Sequence, residues 1–153
     1  ERAAADTPPS DDDEPDAAKD HDDGKPHPAL DSNVQQAMFM HEAATVMNLH
    51  AQAVTVQNIR SLIPIVLDLA TSNYGRWRDQ FLLVVGKFSL EHHVLHNPPA
   101  CIFPDWTRMD CVIKSCIYGI VSSDLADTAM ENNTTARAAW LALETQFLGN
   151  RET

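Results

Sequence analysis

Asn73-Tyr74-Gly75-Arg76-Trp77-Arg78-Asp79-Gln80-Phe81-Leu82-Leu83-Val84-Val85-Gly86-Lys87-Phe88 decides the fold class. Tyr74, Trp77, Phe81, Val84 or Val85, and Phe88 recur every three or four residues, the spacing that lines one face of an α-helix. Arg76, Arg78, Asp79 and Lys87 fall on the other face. Thr71, Ser72 or Asn73 supplies a side chain able to cap the first turn.

Toward the C-terminus, Pro98, Pro99 and Pro104 predict a loop from Glu91 to Pro104. Asp105 can then cap a helix carrying Trp106, Met109, Ile113, Cys116 or Ile117, and Ile120, with Gly119 weakening its end. Ser122 or Ser123 opens a short helix through Leu125, Ala129 and Met130, and Asn132-Asn133-Thr134 breaks and recaps the chain. The last helix buries Ala136, Trp140, Leu143 and Phe147, and Gly149 suits the left-handed position that closes a helix.

Toward the N-terminus, Pro64 removes a backbone donor and pushes Ile63 to extended geometry, so Ile59 to Leu69 is expected as an extended arm. Before it, Ser32 and Gln35 form a capping-box pattern. Ala37, Met40, Ala44, Met47, Ala51 and Val54 follow as a narrow stripe that can pack on the body or pair with another helix. Ahead of Ser32 lie Asp11-Asp12-Asp13-Glu14 and Asp20-His21-Asp22-Asp23 among five prolines, with almost no large apolar residue. Such a segment cannot offset its own ordering entropy. The expected architecture is therefore all-α, a small helical bundle. Residues 1–31 form a disordered acidic tail, 32–56 a helix, and 57–153 the helical lobe.

Net charge is −11. Outside the tail, Arg60, Arg76, Arg78, Lys87, Arg108, Lys114, Arg137 and Arg151 nearly balance the acids, and no basic face stands out. Binding to nucleic acid through phosphates needs clustered cations, so no direct nucleic-acid contact is expected. Cys101, Cys111 and Cys116 are odd in number, and two of them sit in an apolar helical pattern. Reduced thiols in an intracellular, cytoplasmic setting follow. Neither a signal peptide nor a membrane-spanning run is present, and the start without Met reads as that of a fragment.

The ordered patterns Ile63-Pro64-x-x-Leu67-Asp68, Asn73-Tyr74-x-x-Trp77, Trp106-x-x-x-Asp110 and Ala136-x-x-x-Trp140-x-x-Leu143-x-x-x-Phe147 resemble the Gag polypeptide of plant Copia-type LTR retrotransposons. The resemblance covers about Ile59 to Thr153. It implies a retroviral-type capsid lobe that self-associates into virus-like particles packaging the element's RNA. No enzymatic activity, cofactor, metal, small-molecule substrate or membrane contact goes with it. Such polypeptides usually continue into further helices and often a zinc knuckle. Many relatives carry Trp where Cys116 stands, and Tyr118 or Met109 would then fill the missing volume. Tyr74, Trp77, Phe81, Trp106, Ile113, Leu125, Trp140, Leu143 and Phe147 are expected as core markers rather than partner hot spots.

Two other readings compete with that structural role. A host-adapted module derived from Gag could recruit a partner through the acidic tail or the Ala37-to-Val54 stripe. A metal protein could use His92-His93-x-x-His96 with Cys101, although the spacing lacks the paired ligands of a knuckle and a polar loop is expected there. Asp127-Thr128-Ala129 lacks the glycine turn of an aspartic-protease loop and falls in a predicted helix. No Gly-rich phosphate loop, Gly-x-Ser-x-Gly elbow or His-Glu-x-x-His pattern occurs.

Overall fold

The computed structural model describes residues 28–129 and 134–149. Six α-helices follow one another: α1 (Pro28–Val54), α2 (Tyr74–Lys87), α3 (His92–Leu95), α4 (Pro104–Gly119), α5 (Ser123–Ala129) and α6 (Ala136–Leu148). Among the described residues, extended pairing is confined to an isolated parallel bridge between Leu67 and Val121. The fold is an all-α small bundle, the class that helical periodicity predicts. The acidic runs, Met130 and the Asn132-Asn133 break lie outside the described residues.

Helices α2, α4 and α6 bury the faces that their spacing marks. Trp77, Phe81 and Val85 are buried on α2, Met109, Ile113 and Ile117 on α4, and Ala136, Ala139, Trp140 and Leu143 on α6. Their rings stack into one aromatic spine: Trp77 lies 5.5 Å from Phe81 and 5.6 Å from Trp140, and Phe81 lies 5.2 Å from Trp140. Tyr74 and Phe147 extend the spine to the surface, 5.0 Å apart and nearly parallel. Offset stacking of this kind adds about 0.5–1.5 kcal/mol per pair beyond the area buried.

The segment before α2 runs extended from Ile63, as Pro64 dictates, after a 3-10 turn at Ile59–Ser61 that the arm reading does not include. Asn58 starts that turn by accepting a hydrogen bond from the Arg60 N–H. The arm is fastened by polar contacts. The Leu67 N–H donates to the Ile120 carbonyl at 2.8 Å, and the Ser122 N–H donates to the Leu67 carbonyl at 2.9 Å. Asn73 occupies the N-cap position of α2 but does not cap it with its side chain. Its Nδ2 donates to the Val66 carbonyl at 2.8 Å, and its Oδ1 accepts from the Asp68 N–H. One side chain thus clamps the arm to the start of α2.

Helix ends depart from the sequence reading in four places, each for a local reason. First, α1 begins at Pro28, so Ser32 lies inside the helix and the tail boundary at residue 31 moves back. Proline suits the first helical turn because its missing N–H has no partner there and its φ is already set. Second, α4 begins at Pro104 by the same logic, and Asp105 sits in the first turn, where it pairs with Arg108 at 3.6 Å, rather than acting as the cap. Third, Gly149 has φ −65° and closes α6 in right-handed geometry. Fourth, the left-handed closure appears at the end of α2. There Ser89 has φ 58°, its N–H donates to the Gly86 carbonyl, and the Leu90 N–H donates to the Val85 carbonyl. This is a Schellman motif with serine in the glycine position, a placement that costs roughly 1 kcal/mol and is held by the buried Leu90.

Gly119 does more than weaken a helix end. A Cβ at this position would collide with the Ile59 side chain, so the 3-10 turn packs directly on the end of α4. The Arg60 guanidinium donates to the Gly119 carbonyl at 2.7 Å across the same contact.

Candidate functional site

Two features of the fold carry polar or surface chemistry: a buried cluster joining α3, α4 and α6, and the outer face of α1. The cluster begins with Asp110, which is 4% exposed. Its carboxylate accepts from the Ala136 N–H at 3.1 Å and from His93 Nδ1 at 3.2 Å. The bond to Ala136 satisfies an orphan donor at the first turn of α6, whose positive dipole end favours a carboxylate. Thr135 completes this end by accepting from the Ala138 N–H at 3.2 Å. Helix α6 is therefore capped once by its own N-cap residue and once from another helix.

His93 is 2% exposed and is held from two sides by α4. Trp106 stacks on its ring at 4.8 Å, and Asp110, one helical turn later, accepts a hydrogen bond from Nδ1. A carboxylate acceptor fixes the tautomer with hydrogen on Nδ1. On the next residue, Arg137 Nη1 donates to the Val94 carbonyl at 2.6 Å, which satisfies a C-terminal carbonyl of α3.

These contacts revise two expectations. The Glu91-to-Pro104 segment is not wholly loop, because His92–Leu95 forms a helical turn with His93 and Val94 buried. Of these three histidines, only His93 leaves the surface. His92 and His96 are exposed, and the His92 pKa is lowered, first by desolvation and next by the adjacent His93. His93 faces inward toward Asp110, while Cys101 is exposed. Among the described residues no three His, Cys, Asp or Glu side chains converge as metal ligands would.

Of the nine core markers, Trp77, Phe81, Ile113, Leu125, Trp140 and Leu143 are buried. Tyr74, Trp106 and Phe147 are half-buried. The four sequence patterns also meet in space. Asn73 holds the Leu67-Asp68 arm, Trp77 stacks on Trp140, and Asp110 caps the helix that opens at Ala136. What spacing alone missed was His93 and the buried state of Asp110. The only signal available was Trp106-x-x-x-Asp110 itself, an aromatic and an acid one turn apart on the same helix face.

Comparison with protein-family models, curated proteins and solved structures returns no match. The site is therefore read from its geometry.

Cys116 is half-buried and lines an open cleft of about 300 Å³ between α4 and the Val56-to-Arg60 segment. Neither residue expected to fill this space does so: Tyr118 is 51% exposed, and Met109 packs two turns earlier in the core. Burial pushes the Cys116 thiol up to about 11. At pH 8 it stays protonated, and the thiolate is the reactive species. Exposed Cys101 and Cys111 are expected to react with iodoacetamide well before Cys116, as followed by mass spectrometry. Equal labelling of all three in the native protein would contradict the burial.

The outer face of α1 is the other candidate. Only its C-terminal half reaches the body, with Ala53 buried and Ala43, Val46, Leu49 and His50 half-buried. Residues 31–42 are all exposed, including Val34, Met38, Phe39 and Met40. The predicted stripe does not pack within the chain. Ala37, Met40, Ala44, Met47, Ala51 and Val54 are all exposed, because the body is contacted by a different face. No described helix is long and apolar enough to cross a membrane.

Proposed function

We propose that this chain is a capsid-like part of the Gag polypeptide of a Copia-type retrotransposon. It is a structural protein without chemistry of its own that self-associates into particles enclosing the element's RNA. The observation carrying this reading is the meeting of its four ordered sequence patterns in one set of contacts. Three of them share the spine and arm contacts around Trp77, and the Trp106-to-Asp110 pattern ties α4 to the start of α6. The reading is further supported by the distribution of polar groups. Asp110 and His93 are committed to holding helices together. Three free cysteines fit a reducing, cytoplasmic setting. With a net charge of −11, RNA contact is assigned to another part of the polypeptide.

The exposed apolar face of α1 also supports a second reading, a host-adapted interaction module that kept a Gag lobe. Co-expressing the chain with its downstream coding sequence separates the two. The Gag reading expects particles by negative-stain microscopy that protect RNA from nuclease. Small monodisperse species with no protected RNA would count against it and favour the module.

A further inference from the structure

Helix α1 is mostly exposed yet almost free of charge. Between Ser32 and Asn58 the only formally charged residue is Glu42, in a chain whose charged fraction is 22%. On a heptad frame, Ala37, Ala44 and Ala51 occupy one seam position and Met40, Met47 and Val54 the other. Glu42 falls on the opposite side of the helix. All six seam residues are exposed, with Met40 at 62%, Met47 at 72% and Val54 at 52%. An apolar helix face without charges is the mark of a helix covered by another protein surface.

We infer that the seam is covered by α1 of a second copy, paired antiparallel about a two-fold axis between Ala44 and Met47. An isologous contact must be complementary to itself. In this register Ala37 faces Val54, Met40 faces Ala51, and Ala44 faces Met47, so each small residue receives a large one. A parallel pairing instead sets alanine against alanine and methionine against methionine, leaving gaps and crowding in alternate layers.

Charge selects this occupant over others. Two chains of net charge −11 repel in general, yet the α1 seam itself carries no acid. It also offers no Lys or Arg to an anionic membrane or to nucleic acid. The seam's C-terminal end borders a cleft of about 190 Å³ between α1 and α4, lined by Met47, Ala51, Val54 and Met109 together with His50 and the Asp105–Arg108 pair, whose charges offset each other. The partner's Met40, set against Ala51, lies at this cleft. Eighteen residues of helix give a seam about 27 Å long.

The inference deepens the self-association proposed above by naming its surface. Sedimentation equilibrium on the full chain tests it. The unmodified chain is expected to form a reversible dimer. Met40→Glu and Ala51→Lys are each expected to weaken dimerisation by roughly 100-fold, because each buries an unpaired charge twice. Mixing the two variants restores a heterodimer, since residue 40 of one copy faces residue 51 of the other only in the antiparallel register. Gln52→Lys, off the seam, leaves the dimer unchanged, and helical content by circular dichroism stays constant throughout. A chain that remains monomeric at millimolar concentration overturns the pairing and the self-association of this fragment together. A dimer or larger assembly that neither variant weakens overturns the seam while leaving self-association standing. Weakening by both variants without rescue on mixing overturns the antiparallel register.

Discussion

Trp77→Ala is expected to lower the stability of the lobe by about 3–5 kcal/mol. A domain of this size has roughly 5–15 kcal/mol to lose, so the variant melts far earlier or fails to fold. The indole is fully buried and stacks on Tyr74, Phe81 and Trp140, so its removal opens a cavity that rigid neighbours cannot close. It also removes a hydrogen bond that joins distant parts of the chain. Trp77 Nε1 donates to the Ile120 carbonyl at 3.0 Å, the same oxygen that receives the Leu67 N–H. Trp77→Phe separates these contributions in part, because it keeps a six-membered aromatic ring while losing the donor and the smaller fused ring. Its expected cost is smaller, about 1–2 kcal/mol. Urea unfolding followed by circular dichroism measures both, and a cooperative transition unshifted by Trp77→Ala would remove the indole from the core.

The second large effect is expected at Asp110. Asp110→Ala leaves the His93 Nδ1 hydrogen and the Ala136 N–H buried without acceptors, each at about 1–3 kcal/mol. The contact also joins three helices, so the expected total is about 3–5 kcal/mol, comparable to breaking a buried ion pair. Asp110→Asn keeps one carbonyl oxygen for one of the two donors, and its cost falls between the wild type and alanine. Hydrogen exchange locates the effect: protection should fall first in the opening turn of α6 and in His92–Leu95. If Asp110→Ala sped exchange nowhere and left the unfolding midpoint unchanged, the carboxylate would have no structural role.

These two residues mark how far the sequence could be read. Trp77 was legible because burial of a helix face repeats every three to four residues, and that repeat is written locally. Asp110 is legible only as one member of the Trp106-x-x-x-Asp110 pattern, because its partners lie 17 and 26 positions away in the chain. Nothing local distinguishes an acid that meets water from one that meets a helix end. Asn73 illustrates the same point on a smaller scale. Its position before α2 suggests a cap, yet the arm offers its amide two backbone partners and takes the side chain instead.

The stripe on α1 is a different case. Its spacing was read correctly as an apolar helical repeat, but periodicity does not name the surface that covers it. The body meets α1 through Ala43, Val46, His50 and Ala53, a face with the same three-and-four spacing, while the Ala37-to-Val54 seam points to solvent.

By itself, the sequence determined the all-α class, the buried faces of α2, α4 and α6, and the extended arm that Pro64 imposes. All of these follow from the dihedral and packing limits of a few neighbouring residues. Only the tertiary structure decided that His93 and Asp110 are buried together, that Asn73 clamps rather than caps, and that the α1 seam is left open. Each depends on which surfaces meet after folding, and that is set by shape and hydrogen-bond satisfaction between segments far apart in the chain.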